Sequence, residues 1–362
     1  MDYAYNGLLV FINLGLWLIL LLVYKKDFLN PFINRKRSFI FPFIILALFT
    51  TFAFSEADTY HYHEIYDRML KINSQIHIEY VYYFLLKILP KNYYLWRFVI
   101  WGAASFIFVI TAKRYRINPG ILAFLLPVLL FQQFAVTRGC LGISIFLLAV
   151  SFILKPVKQR KLFSILIGIF GCLVSMAFHK SMPLFIFIFV LSCIPLNRFF
   201  IYFLILIFPL LRSFVVSIIM AVIDMGFFEQ DTVTFTMGYL DGERSISNIM
   251  GLIRLGIEYV PRFLIIYIIT RLIILNKQQV PYYISYLAHF CFILFYIALL
   301  CYGQEFSSFI SSRTIHMMCF PLIIVVSYLV ERTGYNKLVL SSVILFIISD
   351  LFAFLHSIYK WS

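Results

Sequence analysis

Three groups of side chains in this sequence have the types and spacing to do chemistry. The first lies in "SEADTYHYHEIYD", where Asp58, His61, His63, Glu64 and Asp67 gather directly after an uncharged run. The second is Arg138 in "AVTRGC" together with His179 and Lys180 in "AFHKS". The third is Arg313 and His316 in "SSRTIHMM", with Arg244 and several acids in residues 224–254. A guanidinium presents a planar fork that matches phosphate oxygens, and an ammonium presents a point charge. A carboxylate, or an imidazole with an ordinary pKa of about 6.5, can take a proton from a sugar hydroxyl near neutral pH. Cations beside such bases suit group transfer from a phosphate-bearing donor to a hydroxyl.

Each residue also has a plainer reading. Arg138 and Arg313 could snorkel to lipid headgroups, and His179 could cap or link helices. His61 and His63 form only an HxH pair, whose members face apart on a helix, so they make a weak metal signal. Arg97 and Trp96 read as interfacial anchors. Arg212 and Asp350 read as a structural pair inside the protein.

The elements that must carry these groups are membrane helices. Of the 362 residues 63% are apolar and 19% aromatic, more than a soluble fold of this size can bury. Apolar runs recur at about the 20 residues needed to cross some 30 Å of hydrocarbon, where only helices or closed barrels satisfy the backbone. The expected fold is an all-α polytopic transmembrane bundle, one domain over 1–362. Its twelve spans are 4–24, 39–54, 93–112, 119–135, 139–154, 162–178, 181–195, 199–223, 255–275, 283–303, 314–330 and 338–358. Pro209 and Arg212 make the eighth the weakest, open to reading as a broken helix or a span plus an interfacial piece.

Charge orients the bundle. With Lys25, Lys26, Arg35, Lys36 and Arg37 in the cytoplasm, alternation puts Lys113, Arg114, Arg116, Lys155, Lys158, Arg160, Lys161, Arg198, Arg271, Lys277, Arg332 and Lys337 there too. The net charge of +14 is therefore a topology signal and not a nucleic-acid footprint. Both termini are expected outside, and the first span is read as a retained helix rather than a cleaved signal. Two longer polar segments also face outward: 55–92, with an amphipathic stretch "HIEYVYYFLLKILP", and 224–254. Cys140, Cys172, Cys193, Cys291, Cys301 and Cys319 are scattered in or at the ends of spans without a CxxC pair, so they read as packing residues.

Some spans are informative because they are short. Residues 163–178 and 183–195 fall at or below the minimum for a crossing at about 1.5 Å per residue. Val136, Thr137 and Arg138 are all that joins 119–135 to 139–154. Both apices should dip inward, placing Arg138, His179 and Lys180 in a shallow pocket open to the outside, where charge is costly unless it lines water or binds something.

Taken in order along the chain, these motifs resemble the EpsG family of Wzy-type polysaccharide polymerases. The resemblance rests on D-x-x-x-Y-x-x-x-Y at Asp58, Tyr62 and Tyr66, on "VTRGCLGISIFLLAVSFIL" opened by Arg138, on "SMAFHKSMPLFIF" with Phe178, His179, Lys180 and Ser181, and on "SSRTIHMM" with Arg313. Two positions depart from the family pattern: Glu56 and Ala57 precede Asp58 where Gly-x-Asp is common, and Met182 stands where a small residue is usual.

The resemblance implies a glycosyltransferase, related by analogy to the GT-C architecture, on the outer face of the bacterial cytoplasmic membrane. It would join undecaprenyl-diphosphate-linked repeat units, delivered by a flippase, into O-antigen, capsule or exopolysaccharide, alongside a chain-length regulator and without metal or other cofactor. On that expectation Arg138 and Arg313, supported by Lys180, hold the diphosphate, and His179 or Asp58 acts as base. Tyr62 and Tyr66 offer rings and phenols to sugars, and Arg244 and His316 complete the substrate site. Two other classes stay open: a transporter of lipid-linked oligosaccharide, and an acyltransferase that modifies exported glycans. Spans largely free of midplane charge and the lack of matching halves weigh against transport.

Overall fold

The computed structural model describes residues 39–51, 80–132, 137–154, 162–179, 182–192, 197–224, 249–275, 280–301 and 305–333, with scattered residues in 11–24, 63–70 and 341–348. These residues are helical or in turns, with no strand among them. The bounded helices are α1 (Ile40–Thr51), α2 (Tyr80–Ile88), α3 (Tyr93–Arg114), α4 (Pro119–Gln132), α5 (Thr137–Ile153), α6 (Leu162–Met176), α7 (Met182–Leu191), α8 (Arg198–Asp224), α9 (Ile249–Leu275), α10 (Tyr282–Leu300) and α11 (Glu305–Thr333).

Tyr93–Arg114, Tyr282–Leu300 and Thr314–Glu331 are long and apolar enough to cross a membrane, and five shorter apolar helices accompany them among the described residues. On α8 the exposed side chains Phe199, Phe203, Leu206, Leu210 and Phe214 recur every three or four residues. A stripe of that size facing outward is stable only against acyl chains. The fold is that of a helical membrane protein.

Helix α11 is the centre. Every residue of Thr314–Glu331 is buried except His316, which is half-buried, and α4, α5, α9 and α10 pack around it. Helix α3 joins this core through Phe108, which meets Phe320 edge-on at 5.8 Å between ring centroids.

Local sequence sets where α3 begins and ends. Asn92 caps it by accepting the Leu95 N–H at 3.0 Å, as a side-chain oxygen does for the open donors of a first turn. At the other end Ile117 N–H reaches back to the Ala112 carbonyl at 3.2 Å while Arg116 takes a φ of 58°, the left-handed turn that closes a helix. Asn118 then starts α4, its Oδ1 accepting the Gly120 N–H at 2.7 Å, with Pro119 in the first helical position where a missing N–H costs little. The buried carboxylate of Glu331 accepts the Asn118 N–H at 3.2 Å and ties this turn to α11.

Helices α5 and α6 form a close hairpin. A Cβ on Gly168 would lie 2.9 Å from the Ala149 carbonyl oxygen and 2.4 Å from Ile153 Cγ1, and one on Gly171 would lie 2.8 Å from Ala149 Cβ. The approach exists because these positions have no side chain, the small-residue packing that membrane helices rely on.

Three expectations are adjusted. Helix α8 runs unbroken from Arg198 to Asp224 with Pro209 inside it, so the eighth span is neither a broken helix nor a span with a separate piece. The Tyr296 hydroxyl donates to the Leu204 carbonyl at 2.6 Å, close to the carbonyl that Pro209 cannot serve. Helix α11 begins at Glu305, so Arg313 lies two turns inside a helix rather than at its start, just ahead of the apolar stretch. Arg97 and Trp96 are not interfacial anchors: they are 2% and 0% exposed, enclosed by protein. The twelfth span, with Asp350, lies outside the described residues, while Arg212 sits half-buried in α8.

Candidate active site at one end of the bundle

Helices α3, α5, α7 and α11 all run in the same direction, and their contacts set their relative heights. Phe108 meets Phe320, and ten residues further on Asn118 meets Glu331. These two contacts put α3 and α11 in register with an offset that changes by one residue. Seven residues back from the phenylalanine pair, about 10 Å nearer the helix starts, Trp101 is level with Arg313. Arg97 is one turn higher.

On α5 the far end is pinned where Arg114 Nε donates to Ser151 Oγ at 2.7 Å and its guanidinium lies 3.7 Å from the centre of the Phe152 ring. At the near end Arg97 lies within electrostatic range of Cys140, two residues from Arg138. Arg97, Arg138 and Arg313 therefore occupy one layer, about one to two turns thick, on three helices that contact one another.

His179 joins this layer from the α6–α7 turn. That turn is tight, with Phe178 N–H bonded to the Ser175 carbonyl at 3.1 Å and Met182 N–H to the His179 carbonyl at 3.0 Å. A Cβ on Gly142 would lie 3.5 Å from His179 Cβ and 3.3 Å from Met182 Cγ and Sδ. Gly142 is four residues beyond Arg138, on the same face of α5. The two hairpin apices that the sequence singled out meet, one helical turn apart, and the absence of a side chain at Gly142 makes room for Met182 beside His179. Met182 is fully buried in the contact.

The first polar segment docks on the start of α3. Tyr66 is 3% exposed, its ring edge-on to Tyr93 at 5.6 Å and tilted against Trp96 at 5.8 Å. Trp96 is in turn held by Tyr82, whose carbonyl accepts the indole N–H at 3.5 Å. Burial, and secondarily the Asp67 carboxylate, push the Tyr66 phenol pKa up. The ring packs against protein rather than presenting an open face. His63 packs on Tyr93 at 4.6 Å and its Nδ1 lies 3.2 Å from Asp67 Oδ2 one turn away, a half-exposed pair.

On the other side Tyr259, Ser311 and Ala298 pin α9, α11 and α10 together beside Arg313. Ser311 Oγ donates to the Ala298 carbonyl at 2.6 Å, so the Tyr259 hydroxyl at 2.7 Å is the donor to Ser311. His316 follows Arg313 by three residues.

Asp58, Tyr62, Lys180 and Arg244 lie outside the described residues, and Arg138 and Arg313 are placed by their helix positions alone. Among the described residues no three His, Cys, Asp or Glu side chains gather as metal ligands. Cys140, Cys172, Cys291, Cys301 and Cys319 are buried free thiols, and Cys193 lies outside the described residues. Two arginines are buried that the sequence did not place there: Arg97, expected as an interfacial anchor, and Arg262, not singled out, at 2% and 1% exposure. The available signal was a single cation inside an apolar run, in "YLWRFVIW" and "EYVPRFLII".

A helical bundle with lipid-facing stripes, carrying a layer of arginines beside a histidine at one end, defines an integral membrane protein. The sequence model of the EpsG family matches residues 36–361, nearly the whole chain, and the protein belongs to that family, a family of Wzy-like polymerases. No curated protein and no solved structure matches the chain.

Proposed function

We propose that the protein is a polysaccharide polymerase that joins polyprenyl-diphosphate-linked oligosaccharide repeat units, of the undecaprenyl type, at the outer face of the bacterial cytoplasmic membrane. The observation that carries this reading is the arginine layer shared by α3, α5 and α11 with His179 one turn from Arg138, in a chain of this family. Twelve spans with both termini outside would put that layer on the outer side, where flipped units arrive.

In the reaction the acceptor's sugar hydroxyl attacks C1 of the donor glycan. The C1–oxygen bond to the diphosphate breaks, and the lipid diphosphate leaves carrying the electron pair. Arg138 and Arg313, with Lys180, stabilise the charge that grows on the leaving group, the role preorganised cations fill in such transfers. His179 takes the hydroxyl proton, with Asp58 as the alternative base or a holder of acceptor hydroxyls. Tyr62, Arg244 and His316 complete the contacts to glycan and phosphate. A flippase of the same pathway would deliver the units, and a chain-length regulator would set product length.

Reconstitution with a synthetic polyprenyl-diphosphate repeat unit tests this: a polymer ladder is expected. In cells, loss of the gene should leave single repeat units on lipid. No exported units would point to a flippase, and full-length unmodified polymer to an acyltransferase.

A further inference from the structure

The contact between α3 and α5 contains a row of buried polar groups that the reaction scheme does not use. Arg97, Trp101 and Ser105 recur every four residues and so share one face of α3. Arg97 Nε, Trp101 Nε1 and Ser105 Oγ are buried with no hydrogen-bond partner among the described residues. On α5, Ser144 follows Cys140 by one turn on the same face, and its Oγ is also buried and unpartnered. No carboxylate among the described residues pairs with Arg97.

Leaving one such group unmatched in an apolar interior is costly, and leaving a guanidinium unmatched is costlier still. Several in one row imply that something occupies the seam and accepts hydrogen bonds. Guanidinium and indole N–H groups can only donate, and the serine hydroxyls can donate as well. A row of donors headed by a cation and lacking an acceptor matches a ligand rich in anionic oxygens. The row begins at the height of Arg138, and Trp101 is level with Arg313.

We propose that Arg97, with Trp101 and Ser144, forms a buried anion site that holds the diphosphate of the lipid-linked substrate, making Arg97 a third arginine of the binding layer. The inference rests on the polymerase reading for the identity of the ligand, while the anion site stands on its own geometry. Arg97 is then kept at the expense of stability, as an uncompensated buried cation whose partner arrives with the substrate.

The test uses the full chain in nanodiscs, thermal unfolding with and without inorganic pyrophosphate, and the ladder assay on the same samples. Wild type should be stabilised by pyrophosphate in a saturable way. Arg97→Met, which keeps the packing volume and removes the charge, should unfold at or above the wild-type temperature without pyrophosphate. Its apparent pyrophosphate affinity should fall at least about tenfold, as loss of charged hydrogen bonds to the ligand requires. Ser144→Ala, a small change safe for folding, should show the same pattern with a loss of a few-fold.

If Arg97→Met unfolds earlier than wild type and keeps the pyrophosphate response, Arg97 serves structure and the proposal falls. No stabilisation of wild type by pyrophosphate, or an unchanged response in Ser144→Ala should Arg97→Met not fold, also overturns it. Should wild type bind pyrophosphate through Arg97 yet make no ladder, the site stands and the polymerase reading fails. Equal ladders from wild type and Arg97→Met, with unchanged pyrophosphate binding, leave the reading intact and remove the site.

Discussion

Gly142 offers the most direct way to perturb the site without touching a group that reacts. In Gly142→Ala the new methyl lies 3.3 Å from Met182 Cγ and Sδ and 3.5 Å from His179 Cβ. Comfortable carbon contacts are about 3.5–4.0 Å, so Met182 must give by a few tenths of an ångström while His179 Cβ stays in ordinary contact. Met182 is fully buried and cannot swing into open space. The substitution gains about 0.8–1 kcal/mol of helix propensity and loses about 1–3 kcal/mol to overpacking, so the unfolding temperature should change little.

The rate is the sensitive readout. A displacement of about 1 Å at a reacting group costs about a hundredfold, so a shift of a few tenths of an ångström, passed from Met182 through the short turn to His179, should cost several-fold. Gly142→Leu adds three more carbons to the same contact and should cost about a hundredfold or more. Initial rates of ladder formation, normalised to folded protein, measure both. Met182→Ala removes the two atoms that the methyl meets, so adding Gly142→Ala to it should cost much less than adding it to wild type. Wild-type rates from folded Gly142→Leu would refute the placement of His179 against α5, as would an undiminished loss for Gly142→Ala in the Met182→Ala background.

Arg138→Lys keeps charge but loses the fork, and should shorten the polymer severely on a gel; ladders of wild-type length would exclude a diphosphate role. Gly168→Ala must separate α5 from α6, because a backbone oxygen stands 2.9 Å from the new carbon, and thermal unfolding should show a loss of about 1–3 kcal/mol. Gly102→Ala, with nothing within 4 Å, should instead gain up to about 1 kcal/mol. Tyr66→Phe keeps the packing on Tyr93 and Trp96 and removes a buried hydroxyl without a partner among the described residues, so stability should hold or rise and the ladder persist; a lost ladder would assign the phenol to substrate. Glu331→Ala leaves the Asn118 N–H without this acceptor and should cost about 1–3 kcal/mol, while Glu331→Gln, which retains an oxygen, should cost less.

Much of the architecture was legible because hydropathy is a local property. A membrane helix satisfies its own backbone, so the limits of α3, α5, α6 and α10 agree with the apolar runs to within a few residues. The apolar span 314–330 agrees with Thr314–Glu331, and the helix extends back to Glu305 through Ser307, Ser308, Ser311 and Ser312, which lower the hydropathy of residues that are helical all the same. Pro209 signalled a break that did not follow: the helix runs through it, and the Tyr296 hydroxyl ties the neighbouring Leu204 carbonyl of the same turn to α10.

For the site, the sequence by itself determined the class of the protein, its family motifs, and which cations and imidazoles stand at the ends of short spans. It could not set the heights of helices relative to one another, because nothing in a span's own residues records which neighbour it packs against. Only the tertiary structure brought Arg313 to the level of Trp101 and seated His179 against Gly142. It also turned Arg97 inward. An arginine beside a tryptophan at a span's edge has the same sequence signature whether it faces headgroups or protein, and the packing of α3 between α1 and α5 decided which.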